Sequence, residues 1–301
     1  MHRRALFALA APPLSSLAFP ALAIAQPRPV AIASFSILGD MLREAAGERM
    51  DIRVIAGPDV DAHHFQPRPS HAEAVRGARL VLRNGAGFDA WFNRLIASTG
   101  FAGVTVTATE GITLRRAAPT PGHNHGGQDP HAWQDVRLAI AYLRNIEAGL
   151  IRADAAGAAE YQARAAAYAA RLEALDTWVR AEIARIPEAR RVVVTTHDAF
   201  AYFGAAYGVR FRAPQGVATN AEPSAQQVAA LIRQIRAENI TAVFIENMAN
   251  PATLRRLADE AGVRVRGRLY ADALSGPDGP AASYEAMMRH NVGLMVSAMQ
   301  G

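Results

Sequence analysis

Two hydrophobic rhythms alternate along this chain. Short apolar runs, closed by Gly, Pro, Asn or Asp, suit strands buried on both faces; stretches whose apolar residues return every three or four positions suit amphipathic helices. Val30 to Ser34, Asp51 to Ala56, Leu80 to Arg83 and Val104 to Ala108 predict four strands in the first half. Helices are predicted between them: one from Ser36, as its N-cap, to Gly47, one from the capping-box sequence Ser70-His71-Ala72-Glu73, and one over Phe88 to Ala97. Two helical stretches follow, about 136–151 and 158–186. The alternation then restarts, with strands at Arg191 to Thr195, Ala242 to Ile245 and Val263 to Tyr270. Helices are expected through Phe200 and Phe203, from Ser224, from Asn250-Pro251 to Gly262, and over Ser283 to Met299. Such alternation predicts an α/β protein, with mostly parallel sheet carrying helices on its faces.

The Ala-rich stretch from Ala158 to Ile186 stands apart. Tyr161, Tyr168, Leu172, Leu175, Val179, Ile183 and Ile186 recur at steps of three, four and seven and make one continuous face. At 1.5 Å per residue it would span about 40 Å, and Pro187 stops it. Two shorter helices with a break are the alternative; one helix spanning two lobes accounts better for the unbroken face. The expected organisation is an N-terminal lobe over 26–157, a linking helix over 158–187 and a C-terminal lobe over 188–301.

Residues 1–25 read as a secretory signal. His2, Arg3 and Arg4 precede an apolar stretch broken by Pro12, Pro13 and Pro20, and Ala23-Ile24-Ala25 offers a small-x-small cleavage pattern. The prolines argue against a membrane helix, so the mature chain is expected to be exported, soluble and periplasmic. Removing Arg3 and Arg4 lowers the formal charge from +5 to +3, since this segment holds no Asp or Glu. All 32 basic residues are Arg, in runs no longer than two and without aromatic interleaving, which disfavours nucleic acid as a partner. There is no Cys, hence no disulfide, thiolate metal site or lipid-bearing Cys.

Histidine supplies the candidate chemistry. Gly122 to Asp135 holds three of the nine histidines. His123 and His125 sit among Gly and Asn, whereas Asp129-Pro130-His131 is stiffened by proline, which restricts its own φ and the residue before it. On its own this could be a polar loop with scattered histidines. His63 follows a strand, His131 follows the last strand of the first half, and His197 and Asp272 each lie just past a strand of the second half. Ligands of open α/β sheets bind beyond the carboxyl ends of strands. Two facing lobes would therefore gather these four residues in one cleft. Three imidazoles and a carboxylate suit Zn²⁺. Taken singly, each histidine is more readily a hydrogen-bonding loop residue, and Asp272 a turn residue; the joint pattern points to metal.

With these residues in view, the chain resembles the periplasmic substrate-binding proteins of zinc and manganese ABC transporters. The likeness rests on Gly57 to Pro67, Asp129-Pro130-His131, Thr196-His197-Asp198-Ala199-Phe200 with Tyr202-Phe203, Leu269 to Leu274, and Tyr284 to Asn291. It implies two βα lobes, each with a four-stranded sheet, joined by one long helix, with the metal between them on His63, His131, His197 and Asp272. Asp61-Ala62-His63 stands where the family usually has Asp-Pro-His, and motif position favours His63 over the adjacent His64. The family's long His- and acid-rich loop is cut here to His123 and His125, which read as auxiliary metal capture. Manganese members typically carry a carboxylate at the position of His197, so Zn²⁺ is the expected cargo and Mn²⁺ the alternative. The resemblance also implies a membrane permease as partner, a monomer, a periplasmic metallochaperone as a further candidate partner, and no enzymatic activity. A zinc hydrolase using Asp272 or Glu246 as general base is the competing reading. It lacks a His-Glu-x-x-His helix motif, and four protein ligands would close the shell. A carrier of a larger chelate such as haem or a siderophore would need a roomy aromatic cleft instead.

Overall fold

A computed structural model describes residues 28–117, 127–217, 219, 224–248 and 250–301. The proposed cleavage site and His123 and His125 lie outside these residues.

The first half runs β1 (Val30–Phe35), α1 (Ser36–Ala46), β2 (Asp51–Ala56), α2 (Pro69–Arg76), β3 (Leu80–Arg83), α3 (Ala90–Thr99), β4 (Val104–Thr107) and α4 (Val136–Ala153). α5 (Ala158–Ala184) crosses over, and the second half runs β5 (Val192–Val194), α6 (Ala201–Tyr207), β6 (Arg210–Arg212), α7 (Ala225–Ala237), β7 (Val243–Glu246), α8 (Pro251–Ala261), β8 (Val265–Leu269) and α9 (Tyr284–Gln300). Among the described residues the strands form two four-stranded sheets, ordered β2-β1-β3-β4 and β6-β5-β7-β8, with every pairing parallel. This is the expected two-lobed α/β architecture. In both sheets the order reverses beside the first strand, so each offers a crevice at its carboxyl edge.

The helix boundaries have local causes. Gly47 ends α1 at φ 56°, and Gly262 ends α8 at φ 78°, a region where a side chain would be strained. Asp135 caps α4 by accepting from the N–H of Arg137, and Ser224 and Gln227 form the expected capping box of α7. Three local readings needed correction. α2 begins at Pro69, not at a Ser70 cap, because proline presets the first helical φ and the His71 ring accepts the N–H of Arg68 at 3.0 Å. Ser36 does not cap α1; its hydroxyl accepts the N–H of Leu274 at 2.9 Å, from the other half of the chain. β6 was not foreseen, since Arg-Phe-Arg has no apolar run, and parallel pairing with β5 alone makes it a strand.

α5 is a single helix of 27 residues, with Tyr161, Tyr168, Leu172, Leu175, Val179 and Ile183 buried along one side. It packs on α1 and α4 of the first half and on α6 and α9 of the second. One apolar core accordingly runs through both lobes, from Ile32 and Val81 through Leu172 to Phe203, Phe244 and Met295. A second, smaller core lies on the opposite face of the C-terminal sheet, where Val194, Val243 and Ile245 pack on Leu231, Ile235, Leu254 and Leu257. Among the described residues no helix is long and apolar enough to cross a membrane.

Candidate metal centre

Four side chains meet where the carboxyl ends of the two sheets face each other. His63 sits on the loop after β2, His131 beyond β4, His197 beyond β5 and Asp272 beyond β8. The last three are fully buried and His63 is 8 % exposed. One donor atom of each lies within 4.8 Å of every other. His63 Nε2 is 3.3 Å from His131 Nε2 and 3.2 Å from Asp272 Oδ2. His131 Nε2 lies 3.4 Å from Asp272 Oδ1, and His197 Nε2 3.0 Å from Asp272 Oδ2. Donors about 2.0–2.1 Å from a tetrahedral ion are about 3.3 Å apart. These close contacts are thus spaced as the edges of a coordination shell.

Each imidazole is oriented by its surroundings. The Asp61 carboxylate accepts the backbone N–H of His63 at 2.8 Å and the hydroxyl of Thr219 at 2.6 Å, tying the loop to the other lobe. Trp91 Nε1 donates to the carbonyl of Ala62 at 2.7 Å, and the His63 ring stands edge-on to Phe88. Asp129 takes both the backbone N–H and the Nδ1–H of His131 on one oxygen, at 3.0 and 2.8 Å. Asn84 Nδ2 holds the Pro130 carbonyl at 3.0 Å. Glu246, at the end of β7, accepts the N–H of Thr196 at 2.9 Å and of His197 at 3.1 Å on one oxygen, and His197 Nδ1 on the other. A carboxylate on Nδ1 assigns the proton there and turns the Nε2 lone pair inward, as in carboxylate–histidine–metal triads. Glu246 thus accepts three hydrogen bonds, all from the end of β5 and the His197 that follows it, and its observed contacts are those of a group that orients His197. Its place behind His197 was missed in the sequence, where nothing links two residues 49 positions apart.

The electrostatics follow from burial and the three carboxylates. Burial pushes the imidazoles toward neutrality, but Asp272 and Asp129 outweigh it at His131, whose pKa is raised to about 9. Burial likewise opposes charge on His197, yet Glu246 and Asp272 hold its pKa well above the ordinary imidazole range. His63 goes the other way: burial lowers it, and its cationic neighbours add to the fall against the pull of Asp272. Burial would raise Asp272, but His197 and His131 keep it well below the usual carboxylate range. Without metal, positive charge on His131 and His197 thus offsets part of the negative charge of the buried carboxylates. The oxygens of Asp272 meet only the three imidazoles of the cluster, and His197 Nε2 faces only Asp272 and those rings; among the described residues neither has a partner outside it. Such inward-facing, unsatisfied donors fit a metal ion. His64 is exposed, and His71 is spent on α2; neither joins the cluster. A cavity of about 720 Å³ between Arg28, Arg43, Arg53 and Arg164 shares no residue with it.

The family described as "zinc-uptake complex component A, periplasmic" matches residues 32–298. The manganese-binding lipoprotein MntA of Halalkalibacterium halodurans is 32% identical over 268 residues, covering 89% of this chain and 87% of that protein. The iron-binding protein YfeA of Yersinia pestis is 33% identical over 266 residues, covering 87% and 83%. Among solved structures, the periplasmic zinc-binding protein TroA from Treponema pallidum superposes with a TM-score of 0.84 at 27% identity, over 90% of this chain and 99% of that one.

Proposed function

The chain belongs to the family of the periplasmic zinc-uptake component A, and on that footing we propose that it captures one Zn²⁺ ion between its lobes and delivers it to the membrane permease of an ABC transporter. His63, His131, His197 and Asp272 are the proposed ligands. The observation that carries the reading is the convergence of three Nε2 atoms and one carboxylate at coordination-shell spacing in a buried site. Three nitrogen donors favour a borderline ion over harder Mn²⁺, and the stability order of divalent ions points the same way. The protein acts as a carrier, not an enzyme. It is exported after cleavage behind Ala25, with lobes 26–157 and 188–301 flanking the linking helix. His123 and His125 assist capture.

A second reading has its own support. Relatives at 32–33% identity are named for manganese and iron, and both oxygens of Asp272 face the imidazoles. A bidentate Asp272 would raise the coordination number and suit Mn²⁺ or Fe²⁺ better. Competition dialysis at neutral pH with equal Zn²⁺ and Mn²⁺ decides between them. Zn²⁺ retained at one ion per chain is expected; Mn²⁺ retained in its place would make this a manganese carrier.

A further inference from the structure

Asp272 is held unlike its neighbours. His131 and His197 each have a carboxylate behind the ring, whereas the oxygens of Asp272 meet only the imidazoles of the cluster and, among the described residues, nothing outside it. Its position has to come from its backbone. The carbonyl of Ala271, one residue earlier, accepts Trp133 Nε1–H at 3.0 Å and Gln134 Nε2–H at 2.9 Å, which fills both of its lone pairs. Both donors come from the 3₁₀ turn Ala132–Gln134 that directly follows His131. The hold is reciprocal: Tyr284, beyond Asp272, donates its hydroxyl to the carbonyl of Trp133 at 2.6 Å. Gln134 is fully buried, and its Oε1 has no partner among the described residues. An unsatisfied buried oxygen lowers stability, and an apolar side chain of the same size would avoid it. What an apolar residue could not give is the N–H on Ala271.

From these contacts, and resting on the metal-site reading above, we infer that Trp133 and Gln134 are positioning residues for Asp272. They clamp the carboxylate ligand of the C-terminal lobe to the segment bearing His131 of the N-terminal lobe. The separation of these two ligands is then set before metal arrives, and the ion meets a carboxylate already in place.

The test is zinc affinity, by chelator competition, in Trp133→Phe/Gln134→Met, which keeps bulk and removes both donors. The dissociation constant is expected to rise about 10- to 100-fold, the usual cost of losing partners that orient a ligand. The Co²⁺-loaded variant should lose visible d–d intensity in the manner of Asp272→Ala. Three imidazoles still suffice to bind Zn²⁺, so the pair can also be made in the Asp272→Ala background. There it should change affinity by less than about twofold, because the group it acts through is gone. Unchanged affinity in the first background, or the full loss repeated in the second, overturns the inference. The melting temperature of the metal-free variant reports any general damage. If the double variant does not fold, Gln134→Met alone carries the same comparison, with a loss of about tenfold. Failure of the unmodified protein to bind Zn²⁺ would instead strike the metal-site reading.

Discussion

His131 and His197 use the same device, a buried carboxylate on Nδ1, built in two ways. Behind His131 stands Asp129, two residues back in a loop stiffened by Pro130. Behind His197 stands Glu246, on a different strand. The first arrangement is local and survives as long as its own turn does. The second exists only once β5 and β7 lie side by side. Glu246 also takes two backbone N–H groups at the end of β5, so it fixes the strand end and the ligand together. The N-terminal lobe thus brings a prefabricated, oriented imidazole, and the C-terminal lobe assembles its own by tertiary folding.

Removing either ligand tests the comparison most severely. Zinc at a thousandfold excess over Kd should stabilise the folded chain by about 4 kcal/mol, raising the melting temperature by about 10 °C at roughly 2–4 °C per kcal/mol. His131→Ala and His197→Ala should each remove most of that shift in a thermal scan with and without chelator. A shift retained in either variant would take that residue out of the site.

The pH dependence is the next largest effect. At neutral pH the metal-free site holds protons on both His131, with its pKa near 9, and His197, held higher than usual. Zinc needs both lone pairs, so binding should expel protons, and affinity should climb as pH rises towards about 9, by about tenfold per unit for each imidazole still protonated. The metal-free protein should move oppositely. A raised imidazole pKa stabilises the fold fully below the unfolded value of about 6.5 and loses that contribution as pH passes 9. Calorimetry in buffers of different ionisation enthalpy counts the protons; a count near zero would contradict this charge balance.

Glu246→Gln and Asp129→Asn separate the two constructions. Each removes the charge that holds a proton on its imidazole, and each should weaken zinc binding about 10- to 100-fold. The larger loss is expected for Glu246→Gln, because only one oxygen remains to serve acceptor duties now divided between two. Asp129→Asn should fall at the lower end. Chelator competition ranks them, and equal losses would show that the longer connection carries no extra burden.

The same contrast explains what could be read from the chain. Apolar periodicity located most strands and the 27-residue α5, because burial on a sheet or along a helix face leaves a regular trace. Asp129-Pro130-His131 was visible because its chemistry is contiguous. β6 escaped because its three residues carry no apolar run, and Ser36 was misassigned because a local capping rule lost to Leu274, 238 positions away. The place of Glu246 behind His197, and Gln134 altogether, escaped for the same reason: a buried acid or amide shows no partner until one arrives from elsewhere in the chain. That His63, His131, His197 and Asp272 meet could be read from strand ends and family likeness, whereas Glu246 behind His197 and Gln134 on the Ala271 carbonyl could not.

The core that runs through both lobes sets an order of events. Met287, Met288, Val292, Met295 and Met299 of α9 share it with Ile32, Leu42 and Leu172, and the first N–H of α9 is held by Asp40 of α1 at 2.8 Å. A chain emerging from its N-terminus, whether from a ribosome or across a membrane, has β1 to β4 in hand early, but the sides of α1 and α5 that α9 covers stay bare. Those helix faces wait for residues near the far end. Such sequence-distant closure slows folding and leaves apolar surface exposed meanwhile, so the hours or seconds before maturity, more than the finished carrier, are when this protein is most open to proteases and chaperones.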